Sequence, residues 1–207
     1  MKRPFLAILM AILMLTSFPA VAVLAEVSPE IELMGLEWNH DPLSVNVKVT
    51  GSLTNDYVEM VDSVLGDWTT ALQGTGEDYE FNITSDTKAD IRIVIHPGKY
   101  NGVLGLTKPF DRDNDGYFDS VLITMKLDSA VEAEDFRNVL RHEMGHVLGL
   151  GHTQVVGDLM YPYYNPATNY DVMPSELDIE ALLFIYGNDG FGGENIAPSD
   201  IPDCYPN

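Results

Sequence analysis

Among 207 residues there is one cysteine, Cys204, so no disulfide can form within the chain. Basic side chains are scarce too. Lysine and arginine total 11 against 32 aspartates and glutamates, a formal net charge of −21. So acidic a surface excludes non-specific nucleic-acid binding, which needs cations against phosphates. Runs long and apolar enough for a membrane are missing beyond the N-terminus. There Lys2 and Arg3 precede an uncharged apolar stretch, Phe5 to Leu15, and Val23-Leu24-Ala25 sets small residues before Glu26. Residues 1–25 therefore read as a cleaved signal peptide. The competing reading is an uncleaved membrane anchor; Ser17 and Pro19 interrupt the run and favour cleavage. Cleavage leaves 9 basic side chains against 32 acidic ones, a net charge near −23. The length allows one domain with extensions.

The chemistry concentrates in one stretch, His142-Glu143-Met144-Gly145-His146-Val147-Leu148-Gly149-Leu150-Gly151-His152. On a helix, residues four apart share a face, so His142 and His146 can point two imidazoles at one metal ion. Gly149 suits the left-handed turn that ends a helix, and the chain can then return His152 as a third ligand. Three neutral imidazoles leave a tetrahedral zinc one open position, the mark of a catalytic site. Glu143, beside the first ligand, can reach water at that position. The bland alternative is a surface helix with solvated histidines, and the full spacing disfavours it.

This extended pattern resembles that of the metzincin metallopeptidases. Met160 fits their methionine turn, a support beneath the metal that does not ligate it. It follows the third histidine by the short spacing typical of the matrixin branch. Leu159-Met160-Tyr161-Pro162, with Tyr164 after, is similar to the matrixin segment that walls the substrate pocket. Thr153 stands where astacins usually carry Glu and adamalysins Asp. The resemblance runs from about Glu37 to Gly187, so residues 37–187 read as the catalytic domain and 26–36 as an N-terminal extension. Residues 188–207, rich in Gly, Pro, Asn and Asp, read as a disordered tail. Matrixins often carry a propeptide cysteine that caps the zinc; residues 26–36 contain none, and that latency is not expected. Cys204 reads as a free thiol or an intermolecular bridge rather than an inhibitory ligand.

Alternating apolar residues over 37–50 predict a first strand, and Tyr57, Val61, Val64, Leu65, Trp68 and Leu72 predict a helix over 55–72. Tyr79, Phe81 and Ile83 alternate in a second strand. Residues 89–95 are nearly all apolar, as in a central strand. Gly102 to Pro109 resembles the matrixin edge strand that pairs with extended substrate, which makes Leu104 a candidate contact. Gly105 stands where matrixins usually place a structural-zinc histidine, which argues against a second zinc. Asp111, Asp113, Asp115, Tyr117 and Asp119 have the spacing of a calcium loop, with Gly116 for the turn; Leu122 replaces the usual final glutamate. An acidic turn without an ion is the alternative. Ser120 to Leu127 predicts a fifth strand, and Ser129 to Glu132 a capping box before the active-site helix. Pro174 to Asp178 opens a last helix that carries Ile179, Leu182, Leu183 and Ile185 inward.

The expected fold is α+β, a metzincin catalytic domain with a twisted, mixed five-stranded sheet and three helices. The resemblance implies a secreted, monomeric zinc endopeptidase acting on protein or peptide substrates. Zinc would acidify its water and polarise the scissile carbonyl, and Glu143 would act as general base. It also implies that Asn138, four residues before His142, floors the pocket just past the scissile bond, with Pro162 and Tyr164 lining it. A zinc-bearing binding or adhesion module without turnover is the alternative. Glu143 discriminates, since such a module needs no base beside its metal.

Overall fold

Ile91, Ile93 and Ile95 are completely buried, and the sheet is built around them. A computed structural model describes residues 30–73, 79–98, 103–128, 131–165 and 171–186. Residues 1–25, the tail 188–207 and Cys204 lie outside the described residues. The elements are β1 (Ile31–Leu33), β2 (Leu43–Val49), α1 (Asp56–Leu72), β3 (Phe81–Thr84), β4 (Ile91–Pro97), β5 (Gly105–Phe110), β6 (Ser120–Leu127), α2 (Ala133–Val147), β7 (Leu150–Thr153) and α3 (Glu176–Tyr186).

Five strands form one sheet in the order β3-β2-β4-β6-β5. All neighbours pair in parallel except β5, which runs antiparallel to β6 on the outer edge. This is the mixed α+β arrangement expected, with β4 central and β5 at the edge. Helices α1 and α2 pack against the large sheet and each other, and α3 packs on β1 and β7. The Trp68 indole N–H of α1 donates to the Arg141 carbonyl at 3.1 Å, locking the first helix to the second.

Four local expectations shift. The first long strand begins at Leu43 rather than residue 37, because Pro42 has no N–H to offer a ladder. Upstream, Glu37 makes only an isolated bridge to Tyr117. In β3, Ile83 is 41 % exposed, because this short strand is the free edge beyond β2 and its pattern does not alternate cleanly. The capping box of α2 is formed by Glu132 and Asp135, whose carboxylate accepts the Glu132 N–H at 3.1 Å. Ser129 lies outside the described residues. Finally, the N-terminal extension contains β1, which pairs antiparallel with β7 in a second, two-stranded sheet.

Glu37 carries a cost the fold has not offset. It is buried, and among the described residues neither carboxylate oxygen has a hydrogen-bond partner. Burial pushes its pKa from 4.5 to about 7. The folded state thus keeps the proton that the unfolded chain releases first. Stability contributed by protonated Glu37 is complete below about pH 4.5, falls as pH rises toward 7, and is gone above it. Glu37→Gln should flatten that loss, making the variant more stable than the parent at pH 8 by on the order of 3 kcal/mol, and hardly different at pH 4. Thermal melts across pH would test this; a constant difference between the two proteins removes Glu37 as the cause.

Candidate active site

The end of α2 places the site. His142 and His146, one turn apart, hold their ring centroids 4.7 Å from each other. Gly149 then adopts φ +94, where a side chain would be strained, and a Cβ there would meet the Leu36 carbonyl at 2.6 Å. That turn starts β7 and returns His152, whose ring lies 5.3 Å from His142 and 5.0 Å from His146. The three histidines offer ring nitrogens that all lie within 4.8 Å of one another.

Carbonyl oxygens only accept hydrogen bonds, so they set two of the tautomers. His142 Nδ1 lies 2.7 Å from the Leu159 oxygen, and His146 Nδ1 lies 2.7 Å from the Leu150 oxygen. Each Nδ1 therefore carries hydrogen and each Nε2 keeps its lone pair for a metal. Burial holds all three imidazoles neutral: His142 is lowered to about 4, His146 well below its usual value, and His152 below it. Neutral, converging, pre-oriented imidazoles are the donor set that zinc requires.

Glu143 is also buried, and burial raises its pKa to about 7. Its Oε2 accepts a 2.5 Å hydrogen bond from the Thr107 hydroxyl on β5. The edge strand comes so close that a Cβ on Gly105 would fall 2.6 Å from Glu143 Oε1. The Glu143 carboxylate thus occupies the space that a side chain at position 105 would take. Thr107 was not singled out from the sequence, because its spacing from Glu143 follows only from the strand crossing the helix.

The supports converge from three directions. Met160 is fully buried, and its sulfur lies where a Cβ on Gly145 would approach to 2.3 Å, so the methionine fits under α2. Asp158 accepts the Met160 N–H at 2.9 Å and the Ser175 hydroxyl at 2.7 Å, tying the turn to the start of α3. The last carbonyls of α2 and its turn are capped from outside. Trp38 Nε1 donates to Val147 at 2.8 Å, the Tyr186 hydroxyl to Leu148 at 3.0 Å, and the Met34 N–H to Gly149 at 2.9 Å.

Of the expected pocket residues, Leu104 is buried just before β5, and Pro162 and Tyr164 are half-buried. Asn138 is 2 % exposed, and both ends of its amide have partners within the protein. Its Oδ1 accepts from Arg141 Nη1 at 2.9 Å and the Val172 N–H at 2.8 Å, while Nδ2 donates to the Tyr164 hydroxyl at 3.2 Å. Arg141 itself is buried and ion-paired with Asp67 at 2.6 Å and Asp171 at 2.9 Å. Nothing in the sequence marked it, since an arginine on a helix ordinarily faces water.

In the acidic loop, Asp111, Asp113 and Asp115 bring carboxylate oxygens within 4.8 Å of one another. Asn114 and Gly116 take positive φ to make that turn. Asp115, then Asp119 and Asp111, push the Asp113 pKa up through their negative charge. Asp119 turns instead to Arg112, 3.2 Å from its guanidinium, and Tyr117 sits in the bridge to Glu37.

Comparison with known proteins agrees with this geometry. The matrixin family model matches residues 37–187. Metalloendoproteinase 1-MMP of Arabidopsis thaliana is 28 % identical over 169 residues, covering 73 % of this chain and 44 % of that protein. Metalloendoproteinase 2-MMP of the same plant is 29 % identical over 164 residues, covering 71 % of this chain and 42 % of that protein. Interstitial collagenase of Oryctolagus cuniculus is 37 % identical over 76 residues, 34 % of this chain and 16 % of that protein. The chain spans less than half the length of the two plant proteins it matches.

Proposed function

This chain belongs to the matrixin family, and from that premise we propose that it is a secreted, monomeric zinc-dependent endopeptidase in which Glu143 is the general base. The observation that carries the reading is the buried Glu143 carboxylate beside three neutral histidines, with Thr107 fixing one of its oxygens. Zinc held by His142, His146 and His152 would acidify water and polarise a peptide carbonyl. The protein's own groups do the rest. Glu143 takes the proton from the attacking water and delivers it to the leaving amine. The Thr107 hydroxyl keeps Glu143 Oε2 in place, leaving Oε1 for that proton. The outer edge of β5 offers unpaired backbone groups to an extended substrate, which supplies affinity without reading side chains.

In this reading Leu104, Asn138, Pro162 and Tyr164 contact substrate. Because Asn138 spends its amide on Arg141, Val172 and Tyr164, it would act on the pocket through the shape of that network. No helix among the described residues is long and apolar enough to cross a membrane. A peptide-library digest tests the activity: cleavage should stop with a chelator and return with zinc. The alternative of a zinc-bearing binding module predicts no chelator-sensitive cleavage at all.

Matrixins use structural calcium as well as catalytic zinc, and the convergent carboxylates of Asp111, Asp113 and Asp115 fit a hard cation. In the proposed site Tyr117 and Asp119 complete the shell, with Asp119 leaving Arg112. Calcium at 100 times its Kd should then stabilise the fold by about 2.7 kcal/mol. Asp113→Ala combined with Asp115→Ala should abolish the rise in melting temperature and leave zinc content unchanged. A parent protein whose melting ignores calcium would make the loop an ordinary acidic turn.

A further inference from the structure

The five strands of the large sheet contain no aspartate or glutamate, although the chain has 32. They do contain Lys48, Arg92, Lys108 and Lys126. Side chains alternate between the faces of a sheet, and residues paired directly across strands share a face. Thr107 meets Glu143 of α2, so its face is the helix side, where it lines up with Ile123 and Ile93. Lys108, the next residue, points the other way. It pairs with Leu122, Leu122 with Arg92, and Arg92 with Asn46. Two residues along, Lys48, Val94, Thr124 and Leu106 form the next row, and His96 and Lys126 follow. All four cations therefore stand on one face. Helix α1 is locked to α2 on the helix side and α3 packs on the small sheet, so no described helix covers the opposite face. Lys48, Lys108 and Lys126 are exposed and Arg92 is half-buried. Among the described residues none of the four takes part in an ion pair; those pairs are made by His40, Arg112, Arg137 and Arg141. Half-buried Val94, Leu106 and Leu122 lie between the cations and give their aliphatic stems an apolar floor.

We propose that this face docks a carboxylate-rich polypeptide segment, the part of a protein substrate that runs on from the β5 edge. The identity of the occupant rests on the endopeptidase reading. A strand laid along β5 sets alternate side chains level with Leu106 and Lys108 on this face. The chain beyond it can then cross the sheet toward Arg92, Lys48 and Lys126. Continuity with the β5 edge favours a polypeptide over any other polyanion. The molecule as a whole is acidic and repels such a segment from afar, but salt at physiological strength screens exposed charges beyond about 8 Å. Over the sheet itself the segment meets four cations and no carboxylate from any strand.

The test compares two fluorescent peptides that share one sequence and end in a run of glutamates or of glutamines. On full-length Glu143→Ala, the glutamate peptide should bind about 10-fold more tightly, the sum of several exposed ion pairs of modest strength. The preference should fade at about 1 M salt, where the screening length is about 3 Å. Adding Lys48→Gln, Lys108→Gln and Lys126→Gln should remove it at an unchanged melting temperature, because these side chains are exposed and in no ion pair. Lys48→Arg, Lys108→Arg and Lys126→Arg together should retain it. Equal affinity for the two peptides would overturn the proposal, as would a preference that survives the three glutamines. Heparin held by the same lysines, with no difference between the peptides, would overturn it in favour of a sulfated polysaccharide. Binding is read apart from cleavage. An acidic preference in a parent chain that cleaves neither peptide ends the peptidase reading and keeps the docking surface; cleavage of both peptides without that preference does the reverse.

Discussion

Glu143→Ala is expected to lose peptidase activity by on the order of 10²–10⁴-fold, the usual share of a positioned general base, while keeping its zinc. The residue lies between two histidines in sequence, but its side chain leaves them and meets β5, where Thr107 holds one oxygen at 2.5 Å. Removing the carboxylate leaves the histidine tautomers intact, because those are set by Leu159 and Leu150. It also opens space beside Gly105 and relieves a buried acid, so the fold should not suffer. Metal content by atomic absorption and kcat/KM on one cleaved peptide check the two halves. A variant that keeps most of the parent's kcat/KM would end the general-base assignment.

Arg141→Ala should be among the most destabilising single changes in the domain, by on the order of 3 kcal/mol. The guanidinium is nearly sealed from water, with its side chain 4 % exposed, and Asp67 on α1 is 20 % exposed. Deleting the cation strands that carboxylate in a poorly solvated place. It also frees Asp171 and removes one of the donors that satisfy Asn138 Oδ1. A loss of that size lowers the melting temperature by roughly 6–12 °C in a domain of this length. Arg141→Met, which keeps much of the volume but none of the charge, should lose a comparable amount unless Asp67 is made neutral as well. Within the double variant Arg141→Met with Asp67→Asn, most of the stability should return, because replacing both partners of a buried pair is often nearly neutral. A melting temperature for Arg141→Ala within a degree of the parent would show that the pair contributes nothing.

The two predictions differ in how visible their residues were beforehand. Glu143 belongs to a local pattern: its neighbours His142 and His146 sit at fixed helical offsets within the chain. The same holds for His142 and His146, for the turn at Gly149, and for β4 and β6, whose apolar residues mark buried strands. Arg141 is adjacent to the motif and stayed invisible, because its partners Asp67 and Asp171 are far along the chain in both directions. Asn138 lies on α2, four residues before His142. The use of its amide depends on Val172 and Tyr164, which reach it through the fold.

What the sequence determined by itself is what short-range stereochemistry can encode: the helix that aligns two histidines, the glycine that turns the chain toward a third, the alternation of the strands, and the crowded carboxylates of Asp111 to Asp115. Only the tertiary structure decided what lies against these groups. It brought Thr107 to Glu143, Trp38 and Tyr186 to the open end of α2, and β1 across β7. The physical reason is that a ligand set needs only a few consecutive torsions, whereas its supports are hydrogen-bond donors and buried charges that any distant segment can supply. Which segment supplies them is settled by packing. No spacing in the chain records that a three-residue strand near residue 31 pairs with the strand that carries His152.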